Sequence, residues 1–170
     1  MKRLLILRHA KSSWADSDLS DFDRPLNERG MKAAPFMGSL IAQRGLLPDA
    51  IVSSPAKRAK QTATLFRDNS GADLTLTFDD RIYEASPNTL RKVVSETTDE
   101  LASIMIVGHN PGIEGFIRHL TGNTESMPTA AIAVIDLEID SWTDIANESG
   151  ILVTLIKPKE EMSSVDGASA

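Results

Sequence analysis

The sequence predicts an α/β fold with a central, mostly parallel sheet between layers of helix. Two observations predict it. Short apolar runs alternate with segments of helical period along the chain, and the strand–helix–strand spacing calls for helical crossovers rather than tight turns. At 170 residues the chain sits in the single-domain range, long enough to bury about two-thirds of its unfolded surface.

Leu4 to Leu7 reads as a short buried strand that stops at Arg8-His9. Lys11 to Pro25, which contains DSDLSDFD, reads as a polar loop. Asn27 is a candidate N-cap for a helix that places Ala33, Phe36, Met37, Leu40 and Ile41 on one face and ends at Gly45. Pro35 inside that pattern predicts either a later start or a kink. Ala50 to Val52 is the second strand, and Pro55 stands near the start of the next helix. Leu74 to Phe78 is a third strand, Pro87 to Val94 a helix, Ser103 to Val107 a continuously apolar strand and Pro111 to Leu120 a helix. Ala130 to Ile139 and Ile151 to Ile156 read as an antiparallel pair at one side of the sheet. Residues 158–170 are low in apolar content and predict a flexible tail, leaving a single domain over residues 1–157.

Acidic residues outnumber basic ones 24 to 18, a net charge of −6. That balance argues against a nucleic-acid partner, which needs a basic face, but allows a small positive pocket. The chain has no cysteine, so disulfides, thiolate catalysis and cysteine-bound metals are excluded. LLIL is too short for a signal-peptide core and nothing approaches the ~20 apolar residues of a membrane span, so the expected location is the cytoplasm.

Two stretches share a shape: LLILRHA and IMIVGHNPG each put a histidine directly after an apolar strand. In a parallel sheet the carboxyl ends of strands gather at one edge, where ligands bind, so His9 and His109 can meet there. The third histidine, His119, falls within the following helix and reads as structural. SSPAKRAKQTA ends the second strand and opens a helix with Arg58 in its first turn, where free N–H groups and a guanidinium fork suit a phosphoryl group. Together, Arg8, Arg58, His9 and His109 suggest a cationic pocket for a small phosphorylated group. In it a neutral imidazole would attack phosphorus, while the arginines and a second, charged imidazole neutralise developing charge.

These residues resemble the histidine phosphatase superfamily, whose signature is an Arg-His-Gly triplet at the end of the first strand. The triplet here is Arg8-His9-Ala10, with alanine in place of glycine. Ser-Ser-Pro with Arg58, and Gly108-His109-Asn110, resemble the family's second arginine and second histidine. The likeness runs from about Lys2 to Leu155. The short chain, LLILRHAKS, DFDRPLNERG and GHNPGIEGF are similar to the SixA-type phosphohistidine phosphatases. The resemblance implies a phosphoglycerate mutase-like, three-layer α/β/α sandwich and a phosphatase that works through a phosphohistidine on His9. By it, Arg8, Arg58 and His109 form the phosphate pocket. Glu84 stands where many relatives keep a general acid, a group the SixA type does without. Asp21 and Asp23 read as solvated loop charges, and Arg24 and Asn27 as candidate pocket-lining residues. No metal site or cofactor is implied. The substrate is expected to be a phosphorylated protein or a small phosphorylated compound. The alternatives are a sugar-phosphate or phosphoglycerate phosphatase or mutase, and a non-catalytic phosphate-binding module.

Overall fold

The computed structural model describes the backbone of residues 1–169 and the side-chain surroundings of residues 1–163. Strands β1 (Lys2–Arg8), β2 (Ala50–Ser53), β3 (Thr75–Phe78), β4 (Ser103–Gly108), β5 (Ile132–Leu137) and β6 (Gly150–Ile156) form one sheet in the order β3-β2-β4-β1-β5-β6. The first four are mutually parallel and β5 and β6 are antiparallel, as the alternation of apolar runs predicts. Helices α1 (Glu28–Gln43), α2 (Lys57–Asp68), α3 (Pro87–Ser95) and α4 (Gly112–Thr121) make the crossovers.

Period two in β1 splits the core. Leu4 and Ile6 face the layer of α3 and α4, packing with Ile106, Phe116 and Ile117, while Leu5 and Leu7 face α1 and α2, packing with Met37, Ala63 and Phe66. Each fully buried leucine contributes about 1.5–3 kcal/mol, and helices on both faces explain why the central strands read as unbroken apolar runs. The fold is therefore a three-layer α/β/α sandwich.

Asn27 caps α1 through a bond from Gly30 N–H (2.9 Å), and the helix runs without interruption through Pro35. At β5 the regular strand is shorter than the apolar pattern because Ala130 turns to φ 61° and gives its N–H to the carbonyls of Arg8 and His9. The link from β5 to β6 carries a single 3-10 turn, Trp142–Asp144, that buries Trp142. The segment whose composition predicts a flexible tail is helical, α5 (Pro158–Ser169), and its start is tied to the end of α1 by an Arg44–Glu161 ion pair of 2.7 Å. No helix among the described residues is long and apolar enough to cross a membrane.

Candidate active site

Parallel pairing of β1 with β4 sets Arg8 opposite Gly108, and His9 N–H donates to the Gly108 carbonyl (3.0 Å). The next residue on each strand is a histidine, so His9 and His109 leave the sheet side by side. Their ring centroids are 5.1 Å apart. They line a cleft of about 660 Å³ at the carboxyl edge of the parallel strands, together with Arg8, Arg58, Arg24 and Glu84. Arg8, His9, Arg58, Glu84 and His109, the residues expected to bind phosphate or do the chemistry, thus line one cleft.

His9 is 7 % exposed, and its Nδ1 lies 2.7 Å from the Ala10 carbonyl, which can only accept. Nδ1 therefore carries the proton, and the lone pair of neutral imidazole sits on Nε2. Burial pushes the imidazole down to about 4, and the positive charges of Arg58, Arg8 and Arg24 push the same way against the Ala10 bond. Ala10 is itself fixed by a bond from its N–H to Thr62 Oγ1 (2.9 Å). Among the described residues other than glycine, only Glu84, Ala130 and Glu148 take positive φ. The backbone at position 10 is thus one that alanine adopts without strain, which accounts for its standing in the triplet in place of glycine.

His109 contacts the Ser54 hydroxyl through Nε2 (2.7 Å). Burial, the neighbouring His9 and Arg58 push it down to about 3, with Asp21 opposing. The same arginines that would bind a phosphoryl group thus work against a charge on the half-buried His109 ring. A phosphoryl dianion between the rings would reverse the sign of that local field.

Arg58, 5 % exposed on the first turn of α2, donates from Nη1 to the Asp21 carbonyl (2.6 Å) and from Nη2 to Asp21 Oδ2 (2.9 Å). Arg8 donates from Nη1 to the Met127 carbonyl (3.0 Å), which also accepts from Asn110 Nδ2. Glu114 accepts from Asn110 and from Met127 N–H, so a carboxylate stands behind Arg8 and opposes the fall in its pKa that burial causes. The Nε–H groups of both Arg8 and Arg58 are buried without a partner among the described residues. Such donors are costly unless something accepts from them.

Asp21 is the residue the sequence reading missed. It is an exposed loop charge, as expected, but it also accepts from Tyr83 Oη (2.7 Å), from Arg24 and from Arg58. The Tyr83 bond first, then the two arginines, hold its carboxyl well below the usual carboxylate range, while Tyr83 is pushed up to about 12 by burial and by Asp21. Asp23 has no such role; it closes a 3-10 turn through Ser20. Arg24 does line the cleft, 7 % exposed, held by Ser12 Oγ (2.8 Å) with its guanidinium 3.5 Å over the ring of Trp14. Asn27 does not line it, being spent on the helix cap. His119 lies on α4 away from the cleft.

Glu84 lines the cleft from its rim, exposed, with φ 55°. The neighbouring loop is pressed against α4: a Cβ at Gly112 would come 2.2 Å from the Ala85 carbonyl, so only glycine allows this approach. Among the described residues no group of three or more His, Asp or Glu is placed to hold a metal ion.

The buried His9 makes stability depend on acid. Between the ordinary 6.5 and the folded value of about 4, the unfolded chain binds a proton at His9 that the folded chain refuses. Stability complete above pH 6.5 therefore falls as the pH drops towards 4, by about 3 kcal/mol for His9 alone. In phosphate-free buffer, His9→Asn is expected to lose less of its Tm than the wild type between pH 7 and pH 4.5. Equal losses would show that His9 is not the buried neutral group described.

Fold and cleft together define a phosphatase of α/β architecture with paired histidines at the sheet edge. The chain belongs to the histidine phosphatase superfamily: residues 4–92 match the model of its branch 1, more than half of the chain. That match ends before His109, whose place rests on strand pairing. An uncharacterised protein of Mycobacterium leprae is 30 % identical over 166 residues, covering 90 % of this chain and all of that one. A solved structure assigned as the phosphohistidine phosphatase SixA of Agrobacterium tumefaciens is 31 % identical with a TM-score of 0.80, covering 92 % of this chain and 98 % of that one. A mycobacterial glucosyl-3-phosphoglycerate phosphatase shares the fold at 18 % identity and a TM-score of 0.71, covering 91 % and 98 %.

Proposed function

We propose that the protein hydrolyses phosphohistidine on a protein substrate through a covalent phosphohistidine at His9. The observation that carries this reading is the state of His9: neutral, its Nδ1–H held by Ala10, its Nε2 lone pair left for phosphorus. The reaction runs in two displacements. The substrate ring, protonated from solvent on its other nitrogen, presents an imidazolium; Nε2 of His9 attacks phosphorus as the P–N bond breaks, and the substrate departs as neutral imidazole. Water then attacks phosphorus, the Nε2–P bond breaks, inorganic phosphate leaves and a proton goes to solvent. Arg8 and Arg58 would receive the equatorial oxygens, whose lone pairs give the unpartnered Nε–H groups an acceptor.

The choice of phosphohistidine over a phosphate ester rests on the leaving group. An alkoxide needs a general acid, and the carboxylate at the expected place, Glu84, is exposed at the rim without a hydrogen-bond partner among the described residues. Imidazole is a far weaker base than an alkoxide and departs without that help. The rim also suits a macromolecule: Trp14 is 75 % exposed at its edge.

The test is a substrate panel of phosphohistidine peptide, sugar phosphates and phosphoglycerates, with the wild type and Glu84→Gln. Phosphohistidine is expected to be cleaved with a kcat/KM at least about tenfold above the esters, and Glu84→Gln to change it less than about threefold. Preference for an ester, with a large loss in Glu84→Gln, would assign the protein to the sugar-phosphate class instead.

A further inference from the structure

A second concavity, about 400 Å³, opens beside the catalytic cleft and shares Lys11 and Thr129 with it. Its other charged lining residues are Arg29 and Lys32 of α1 and Lys159 of α5, and no acidic side chain lines it. In a chain of net charge −6 this concentration of positive charge is local and one-signed. Lys11, Arg29 and Lys159 have no ion-pair partner among the described residues, and Lys32 meets only the exposed Glu28 at 3.9 Å.

The packing that assembles the groove is specific. The Lys11 carbonyl accepts from Asn27 N–H (2.9 Å), and a Cβ at Gly30 would lie 2.2 Å from that same carbonyl. The first turn of α1 is therefore pressed onto the loop that follows β1 and His9, which brings Arg29 and Lys32 beside Lys11. On the other wall, the Arg44–Glu161 pair fastens the start of α5 to α1 and brings up Lys159.

We propose that this groove binds an acidic segment of the phosphorylated protein substrate, next to the phosphohistidine presented to His9. The proposal rests on the reading of the protein as a phosphohistidine phosphatase and names the kind of sequence such a substrate would carry. Continuity selects the position: the apolar hollow lined by Phe22, Met31 and Leu65 shares no lining residue with the cleft, whereas the basic groove shares two. A chain whose phosphoryl group lies between His9 and Arg58 and leaves over Lys11 enters the groove directly. Chemistry selects the occupant. Cations spread along a trough match spaced carboxylates, and the lining holds no aromatic ring on which the bases of a single-stranded nucleic acid would stack.

The test uses R29Q/K32Q/K159Q, three exposed side chains outside the catalytic cleft, whose loss leaves the fold intact. Fluorescein-labelled hexaglutamate is titrated at low salt and followed by anisotropy, a readout independent of turnover. Wild-type protein is expected to bind it saturably, the variant about tenfold more weakly, with binding lost as salt rises. Equal binding by both proteins, no saturable binding by the wild type, or tighter groove-dependent binding of an RNA oligonucleotide would each overturn the proposal. In parallel, two phosphohistidine peptides are compared, one flanked by glutamates and one by serines. The variant is expected to lose about tenfold in kcat/KM on the first and nothing on the second. Equal rates on both peptides by the wild type would overturn the groove while leaving the catalytic reading standing. Failure of the wild type to cleave either peptide would sink the catalytic reading, and the hexaglutamate titration would still decide the groove.

Discussion

Replacement of His9 by alanine is expected to lower kcat/KM on phosphohistidine on the order of 10⁴-fold or more, and to abolish the acid-labile, base-stable phosphoenzyme seen on rapid quenching. Nothing else in the cleft can take its place. His109 Nε2 is engaged with Ser54, and Glu84 stands exposed at the rim. The variant loses a ring that is 7 % exposed, so a cavity cost of about 1–3 kcal/mol is expected at pH 7. It also loses the group that resists protonation in the folded state. Its stability should therefore fall less steeply than the wild type's from pH 6.5 to 4, the direction set by the His9 value of about 4 against the ordinary 6.5. Total loss of turnover with a flatter acid profile is the paired signature. A labelled, active His9→Ala enzyme would place the phosphoryl group elsewhere.

The histidine pair was legible because it depends on backbone geometry alone. An apolar run followed by histidine, twice, becomes a pair of neighbours as soon as two strands are parallel, adjacent and in the 8-to-108 register. Arg58 was legible for a similar reason: a helix that follows a strand points its first turn at the same sheet edge. Asp21 was not. It lies in a polar loop whose path is fixed by an isolated bridge between Ser12 and Leu26 and a 3-10 turn, neither of which leaves a periodic trace. The Asp-Phe-Asp-Arg stretch held a signal that went unread: an acid three residues before a cation in a short turn can pair with it, and Arg24 does. The helix α5 was hidden for the opposite reason, since a low apolar content predicts no packed core and its start is secured instead by one ion pair.

Polar links around the cleft run from loop to helix to strand. Ser54 directly follows β2 and holds His109 after β4; Thr62 on α2 holds Ala10 after β1 and bonds back to the Arg58 carbonyl. Each group that would touch a phosphoryl oxygen is thus oriented by an element other than its own. That is how a chain with no disulfide among the described residues keeps arginines and histidines in fixed relation.

Arg58→Ala is the second large effect: a loss of about 10²- to 10³-fold in kcat/KM is expected. Arg58 would bring three things to the transition state: a charge, a planar fork and a position already set before substrate arrives. Lysine would restore only the charge, so Arg58→Lys should recover no more than about tenfold of the loss. The position is set by Asp21, whose carbonyl and carboxylate take both Nη groups while Nε–H stays unpartnered. Removing the anchor instead of the fork separates these contributions. Asp21→Ala keeps the backbone carbonyl that accepts from Nη1 but removes the carboxylate shared by Nη2, Arg24 and the Tyr83 hydroxyl, so a loss of about tenfold is expected. In the double variant Arg58→Ala, Asp21→Ala the effects should not add, because once Arg58 is gone most of what Asp21 positions is gone with it. A double-mutant loss equal to the product of the single losses would mean that Asp21 acts on catalysis by another route and that the Arg58 fork orients itself.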